Sequence, residues 1–189
     1  MPYNRSDYRE KWRIERIAAT IRKRAGLDQL STLSPWRLAD EIPAHIFYPE
    51  DFDSDGFAHR VSKAGWDAFA FCCPGESTLM IVLNPHRPPT RQTATLMEEL
   101  SHHLLGHKPC RIAIDSDTGI LQRTYDQACE HEAYDLGAAL LLPKERIQRD
   151  IAAELTATQI AAAHQCSHEI VTYRIKRMRL WPRYSRYAA

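Results

Sequence analysis

The sequence of 189 residues has no apolar run of bilayer-spanning length, no Gly-rich phosphate loop, no G-x-S-x-G elbow and no C-x-x-C pair. These absences argue against membrane insertion, P-loop nucleotide binding, α/β-hydrolase serine chemistry and thioredoxin-like redox chemistry. An excess of charge is missing as well: 25 Lys and Arg face 24 Asp and Glu. Bulk charge therefore gives no argument for a polyanionic partner or a membrane surface, and only local clusters can. The five cysteines (Cys72, Cys73, Cys110, Cys129, Cys166) form an odd, irregularly spaced set in a chain long enough to bury a core without staples. Adjacent Cys72 and Cys73 cannot both face inward on one strand, and read as strand packing with no redox role. The opening segment MPYNRSDYREKWR is charged and lacks the apolar region of a secretory signal. A reduced, cytoplasmic protein with one compact domain, or one domain and a small appendage, is the expectation. Internal repeats and low-complexity linkers are absent too.

What is present is a succession of periodic segments. Trp12, Ile14, Ile17, Ala18 and Ile21 recur at helical spacing with Arg and Lys between them and Gly26 as a stop, so residues 8–25 read as an amphipathic helix with a solvated basic face. Ser34-Pro35 opens a second helix that runs to about Ile42. The segment AHIFYPEDF is too short and mixed to assign. The runs WDAFAFCC and TLMIVLN flank a Pro-Gly turn and predict a β-hairpin. Residues 91–105 regain helical spacing, and CRIAIDSDTGILQRTY suggests a second hairpin turning at Asp117-Thr118-Gly119. A calcium loop is a poor fit there, with glycine at the fifth place and Asp126, not Glu, at the twelfth. ACEHEAYDLGAALLL forms a strong helix ended by Pro143, and helical stretches at 144–153, 156–163 and 167–181 follow. The expected class is α+β: a helical bundle packed on a small antiparallel sheet. Residues 1–150 would form the main domain and 151–189 a helical extension, helix-turn-helix-like and packed on the same core.

The chemistry concentrates in EELSHHLLGH, residues 98–107. An H-E-x-x-H motif places two histidines four apart on one helix face to hold an ion, with a glutamate beside it as base. Here Glu98 stands where the first histidine would be. At roughly 100° per residue, Leu96, Leu100 and Leu104 share one stripe. Glu98 and His102 point the other way, and Glu99 lies between. His103 and His107 project toward the stripe's edge and read as packed or hydrogen-bonded histidines. A zinc site of this kind needs a third protein ligand. On the 127–142 helix, rotation puts Glu132 on a face with Ala128, Leu136 and Ala139 while Glu130 points away. A carboxylate in a core-facing stripe is costly unless paired or bound to metal, which selects Glu132, with Asp135 as a residue that could orient a ligand. By spacing alone, E-E-x-x-H fits both a metal site and a solvated polar face.

With these residues in view, the chain resembles the ImmA/IrrE family of bacterial metallopeptidases. The family's "I-V-x-N" strand, its H-E-x-x-H helix and its E-A-[N/D]-x-F-A-x-x-L-L-M-P helix have counterparts in Ile81 to Asn84, Thr95 to His102 and Glu132 to Pro143, and the resemblance covers about residues 10–180. It implies a gluzincin-like, zincin-type active-site helix, with Glu98, His102 and Glu132 as metal ligands and Glu99 as the base. It also implies a helix-turn-helix repressor as substrate, cut to release stress-response, prophage or mobile-element genes. The departure at Glu98 makes the ligand set Glu, His, Glu, which offsets the charge of a divalent ion and should weaken its effect on water and carbonyl groups. Harder oxygen ligands also lower the preference for Zn2+ and admit Mn2+ or Fe2+.

A second function class competes. After Glu169 the tail carries Arg174, Lys176, Arg177 and Arg179 with no acid among them, interleaved with aromatics. That is a surface able to contact phosphates or an acidic partner. The alternative to a metal-dependent endopeptidase is thus a non-enzymatic transcription regulator that uses these helices on DNA.

Overall fold

A computed structural model describes residues 5–52, 66–72, 78–107, 112–114, 121–123 and 126–188. Helix α1 (Arg5–Arg24) follows the expected periodicity, with Ile14 and Ala18 at 1% and 3% exposure. Its basic residues are not all solvated. Arg22 is fully buried, and its guanidinium donates to the carbonyls of Asp28, Ser31 and Leu140. A planar group with five donors can close a loop and meet the end of another helix at once. Helix α2 (Pro35–Asp40) starts at Ser34, whose side chain makes no capping bond.

Strand β1 (Ala44–Phe47), β2 (Ala68–Cys72) and β3 (Leu79–Leu83) form a sheet in the order β1-β3-β2. The β2–β3 hairpin pairs antiparallel, Ala70 facing Ile81, as the sequence predicts. Strand β1 was the unassigned segment, and it pairs parallel to β3 with Ile46 opposite Ile81. The sheet is therefore mixed, not purely antiparallel. A four-residue strand with only Ile46 and Phe47 strongly β-prone carries little local signal, and its pairing with β3 decides it. Leu79, Ile81 and Leu83 face the core, as alternation requires.

Helix α3 (Pro89–Leu105) lies against this sheet. The strands β4 (Ile112–Ile114) and β5 (Leu121–Arg123) pair antiparallel; the predicted turn between them, like that of the first hairpin, lies outside the described residues. Helix α4 (Gln127–Leu141) begins at Asp126, whose carboxylate accepts from the N–H groups of Ala128 and Cys129. It is the most buried helix, central between α1 and α3. The close approach of α3 depends on Gly137, where a Cβ would stand 3.1 Å from Met97 Cγ and 3.3 Å from Ser101 Oγ.

The chain then forms α5 (Lys144–Ala152), α6 (Ala157–His164), α7 (His168–Arg177) and the short α8 (Trp181–Tyr184). Thr156 and Gln159 make a reciprocal capping box on α6, and the Ser167 side chain accepts from Ile170 N to cap α7. Helices α6 and α7 join through a tight turn in which Gln165 has φ 52°. Ile160, Val171 and Ile175 belong to the same hydrophobic core as Leu136 and Leu140. The fold is α+β. Among the described residues no helix is long and apolar enough to cross a membrane.

Candidate metal centre

Two helices meet at the site. Leu96 and Leu100 hold α3 to the core at 0% exposure, which leaves the opposite side of the same turns to Glu98 and His102. One oxygen of Glu98, one nitrogen of His102 and one oxygen of Glu130 lie within 4.8 Å of one another. His102 Nε2 is 3.5 Å from Glu130 Oε2, with both side chains 18% exposed. Glu99 lines the same cleft, a hollow of about 320 Å³ walled on its far side by Trp66 to Phe69 at the start of β2.

The structure therefore brings Glu98, His102 and Glu99 together as the sequence predicts, and it places Glu130 in the group where rotation suggested Glu132. The rotation argument took Ala128 as core-facing, but Ala128 lies in the first turn of α4 and is exposed. The first turns of α4 pass beyond the apolar core. There the direction of the neighbouring elements, not the hydrophobic stripe, decides which carboxylate meets α3. Glu132 turns toward α1 and the end of α3, where it is paired with Arg13 and His107. The physical premise holds, since this partly buried carboxylate is indeed paired. Asp135 is buried at 3% exposure and accepts from Tyr173 Oη and the Arg177 guanidinium, joining α4 to α7.

His107 is hydrogen-bonded, as its position at the stripe's edge suggests. Its Nδ1 lies 3.0 Å from His102 Nδ1 and its Nε2 lies 3.0 Å from Glu132 Oε2. Burial holds its imidazole below the usual range, partly opposed by Asp126 and Glu130. At the rim, Asp67 bonds Arg91 at 2.6 Å and Arg87 at 2.8 Å. The Arg91 hydrogen bond keeps the Asp67 carboxyl below the usual carboxylate range. Next to Glu98, the Tyr134 hydroxyl is raised by burial first and by the Glu98 charge second.

The four cations assigned to nucleic acid or a partner are divided by the fold. Arg174 is 1% exposed, donating to Leu142 O and to the Glu15 carboxylate, and Arg177 holds Asp135. Both tie helices together, so neither is placed to meet phosphate. Lys176 and Arg179 are exposed, with the Lys176 ammonium 5.5 Å from the Trp181 ring centre. Residue type and run length could not reveal this division. The helical period could: Arg174 stands three and four positions after Val171 and Ile170 and one before Ile175, on the apolar face of α7.

Two carboxylates and one imidazole converging in a half-buried cleft form a donor set suited to a divalent cation, because like charges this close are stabilised by a shared counter-ion. Comparison with known proteins agrees in kind. The model of the Peptidase M78 family, described as the IrrE N-terminal-like domain, matches residues 48–176. No match was found among curated proteins. The matched segment holds the sheet strands β2 and β3, all of α3 and α4 and the whole donor set, and on that ground the chain belongs to the ImmA/IrrE (M78) family of metallopeptidase-type proteins.

Proposed function

We propose that the protein is a metal-dependent endopeptidase in which Glu98, His102 and Glu130 hold one divalent ion and Glu99 acts as the base. The observation that carries this reading is the convergence of three donor atoms within 4.8 Å in the cleft that Glu99 also lines. A divalent ion bound there supplies Lewis acidity toward a peptide carbonyl and toward water. The remaining work belongs to the protein. Glu99, which lines the cleft, would take the proton of the attacking water and pass it to the leaving amine. The Trp66 to Phe69 segment is suited to receive an extended peptide opposite α3.

Zn2+ is the ion the family resemblance favours, and a set with two carboxylates leaves Mn2+ and Fe2+ in competition. The substrate class supported by the resemblance is a helix-turn-helix repressor. The exposed Lys176 and Arg179 fit docking of such a protein at the helical extension of residues 151–189. The rival reading, a DNA-binding regulator without peptidase activity, loses Arg174 and Arg177 to the core and keeps fewer cations for phosphate. The test is cleavage of a partner repressor by the wild type and by Glu99→Gln. The expected result is loss of cleavage with unchanged metal content. A variant as active as the wild type would overturn the assignment of Glu99.

A further inference from the structure

Behind the imidazole of His102 a line of side chains leads out of the cleft. His102 Nδ1 meets His107 Nδ1 at 3.0 Å, His107 Nε2 meets Glu132 Oε2 at 3.0 Å, and the other Glu132 oxygen is paired with Arg13. Arg13 is in turn held by Glu10 at 2.6 Å. Only one placement of ring hydrogens satisfies all these contacts with neutral imidazoles. A carboxylate paired with arginine accepts and does not donate, so His107 Nε2 carries its hydrogen. His107 Nδ1 is then an acceptor, and the hydrogen between the rings belongs to His102 Nδ1. His102 Nε2 then turns a lone pair toward Glu130 Oε2, 3.5 Å away, an arrangement of two acceptors that a shared cation would relieve.

The backbone is built to hold this line. Helix α3 ends on Gly106 in the left-handed region at φ 70°, with Gly106 N–H donating to His103 O and His107 N–H to His102 O, both at 3.0 Å. That paired closure turns the chain back over the last helical turn and sets the His107 ring beside His102. His107 and Glu132 are 10% and 25% exposed, so water is a poor substitute for either. Arg13 and His107 between them engage both carboxylate oxygens of Glu132.

We propose that His107 and Glu132 are positioning residues that fix His102 as the Nδ1–H tautomer and so present Nε2 to a divalent ion held with Glu98 and Glu130. This rests on the metal-site reading above. Ligating histidines commonly donate their second ring N–H to an acceptor that sets tautomer and orientation. Here the acceptor is a second histidine, itself aligned by a carboxylate and by a helix, α1, that lies outside the family-matched segment.

Two measurements test it. In the metal-free wild type, ring 15N shifts should assign His102 as Nδ1–H, and an Nε2–H assignment overturns the proposal without reference to any ion. In chelator-competition titrations of the full chain with Zn2+ and Co2+, His107→Ala and Glu132→Ala should each weaken affinity by about 10–100-fold while the far-ultraviolet spectrum stays native. His107→Asn, whose side-chain oxygen can replace Nδ1 as acceptor, should recover part of the loss. Folded variants that bind as tightly as the wild type overturn the positioning role and leave the metal site standing. A wild type that binds neither ion overturns the metal-site reading, and this inference with it. If an alanine variant fails to fold, the tautomer assignment in the wild type decides alone.

Discussion

Arg174 Nη1 lies 2.7 Å from Glu15 Oε1, joining α7 to α1 across 159 positions of sequence. The side chains are 1% and 11% exposed, so removing the cation strands a carboxylate in a poorly hydrated place. Arg174→Ala should destabilise the fold by about 3–5 kcal/mol, read from urea unfolding. A variant of unchanged stability with weakened nucleic-acid binding would return Arg174 to the surface role its sequence context suggests.

The third ligand can be tested by exchange. Glu130→Ala should weaken Zn2+ affinity beyond the roughly 100-fold upper range of an outer contact. Equal affinity in that variant, together with a larger loss in Glu132→Ala, would move the ligand to Glu132.

Glu98→His restores the H-E-x-x-H pattern and removes one negative charge from the donor set. Zn2+ affinity relative to Mn2+ should rise, since imidazole suits zinc better than a carboxylate does, and peptide hydrolysis should speed up as the ion regains positive charge. Competition titrations and kcat/KM on a repressor substrate would show it. An unchanged metal preference would place Glu98 outside the coordination sphere.

Gly137 sets how closely α3 and α4 approach. Valine there would bring branched carbon atoms onto the Met97 and Ser101 side chains that a Cβ alone already meets at 3.1 and 3.3 Å. Gly137→Val should cost about 1–3 kcal/mol, measured by thermal or urea unfolding. It should also lower metal affinity, because Glu98 and His102 ride on α3 and Glu130 on α4.

Stability should fall with acid through His164. Burial is the main cause that holds this imidazole below its usual range, and the Asp150 hydrogen bond pulls the other way. Its Nε2 lies 2.9 Å from Asp150 Oδ2, and among the described residues its buried Nδ1 has no partner, as fits a neutral ring. With the folded pKa below the unfolded value of about 6.5, the unfolded chain binds the proton first. The contribution is therefore complete above about pH 6.5 and is lost as pH falls from there through the folded pKa. Urea midpoints from about pH 7.5 to 5 should decline for the wild type and flatten for His164→Gln. Parallel curves would clear His164 of the effect.

Much of this was legible in the sequence because one periodic pattern served both folding and site. The leucines at 96 and 100 fix the face of α3 inward, so Glu98 and His102 had to point outward together. The helices after Pro143, the α7 cap at Ser167 and the two antiparallel pairings, β2 with β3 and β4 with β5, follow from local signals. Glu130 was not legible, because two carboxylates in one helical turn are told apart only by what crosses that turn. The pairing of β1 with β3, the contact of buried Arg22 with Leu140 O, the ion pair of Arg174 with Glu15 and the link from His102 to Arg13 share that property. Each joins segments far apart in the chain, and no window of local sequence contains both partners.

The first helix has a last consequence. It precedes the family-matched segment, which begins at residue 48, yet it delivers Arg13 to Glu132, Glu15 to Arg174 and Arg22 to Leu140 O. Cut out at residue 48, the matched stretch would keep every proposed ligand and lose three of the anchors that hold α4 and α7. The stretch matched by the family model is thus smaller than the set of elements that brace the site, and α1 supports the cleft from behind without lining it.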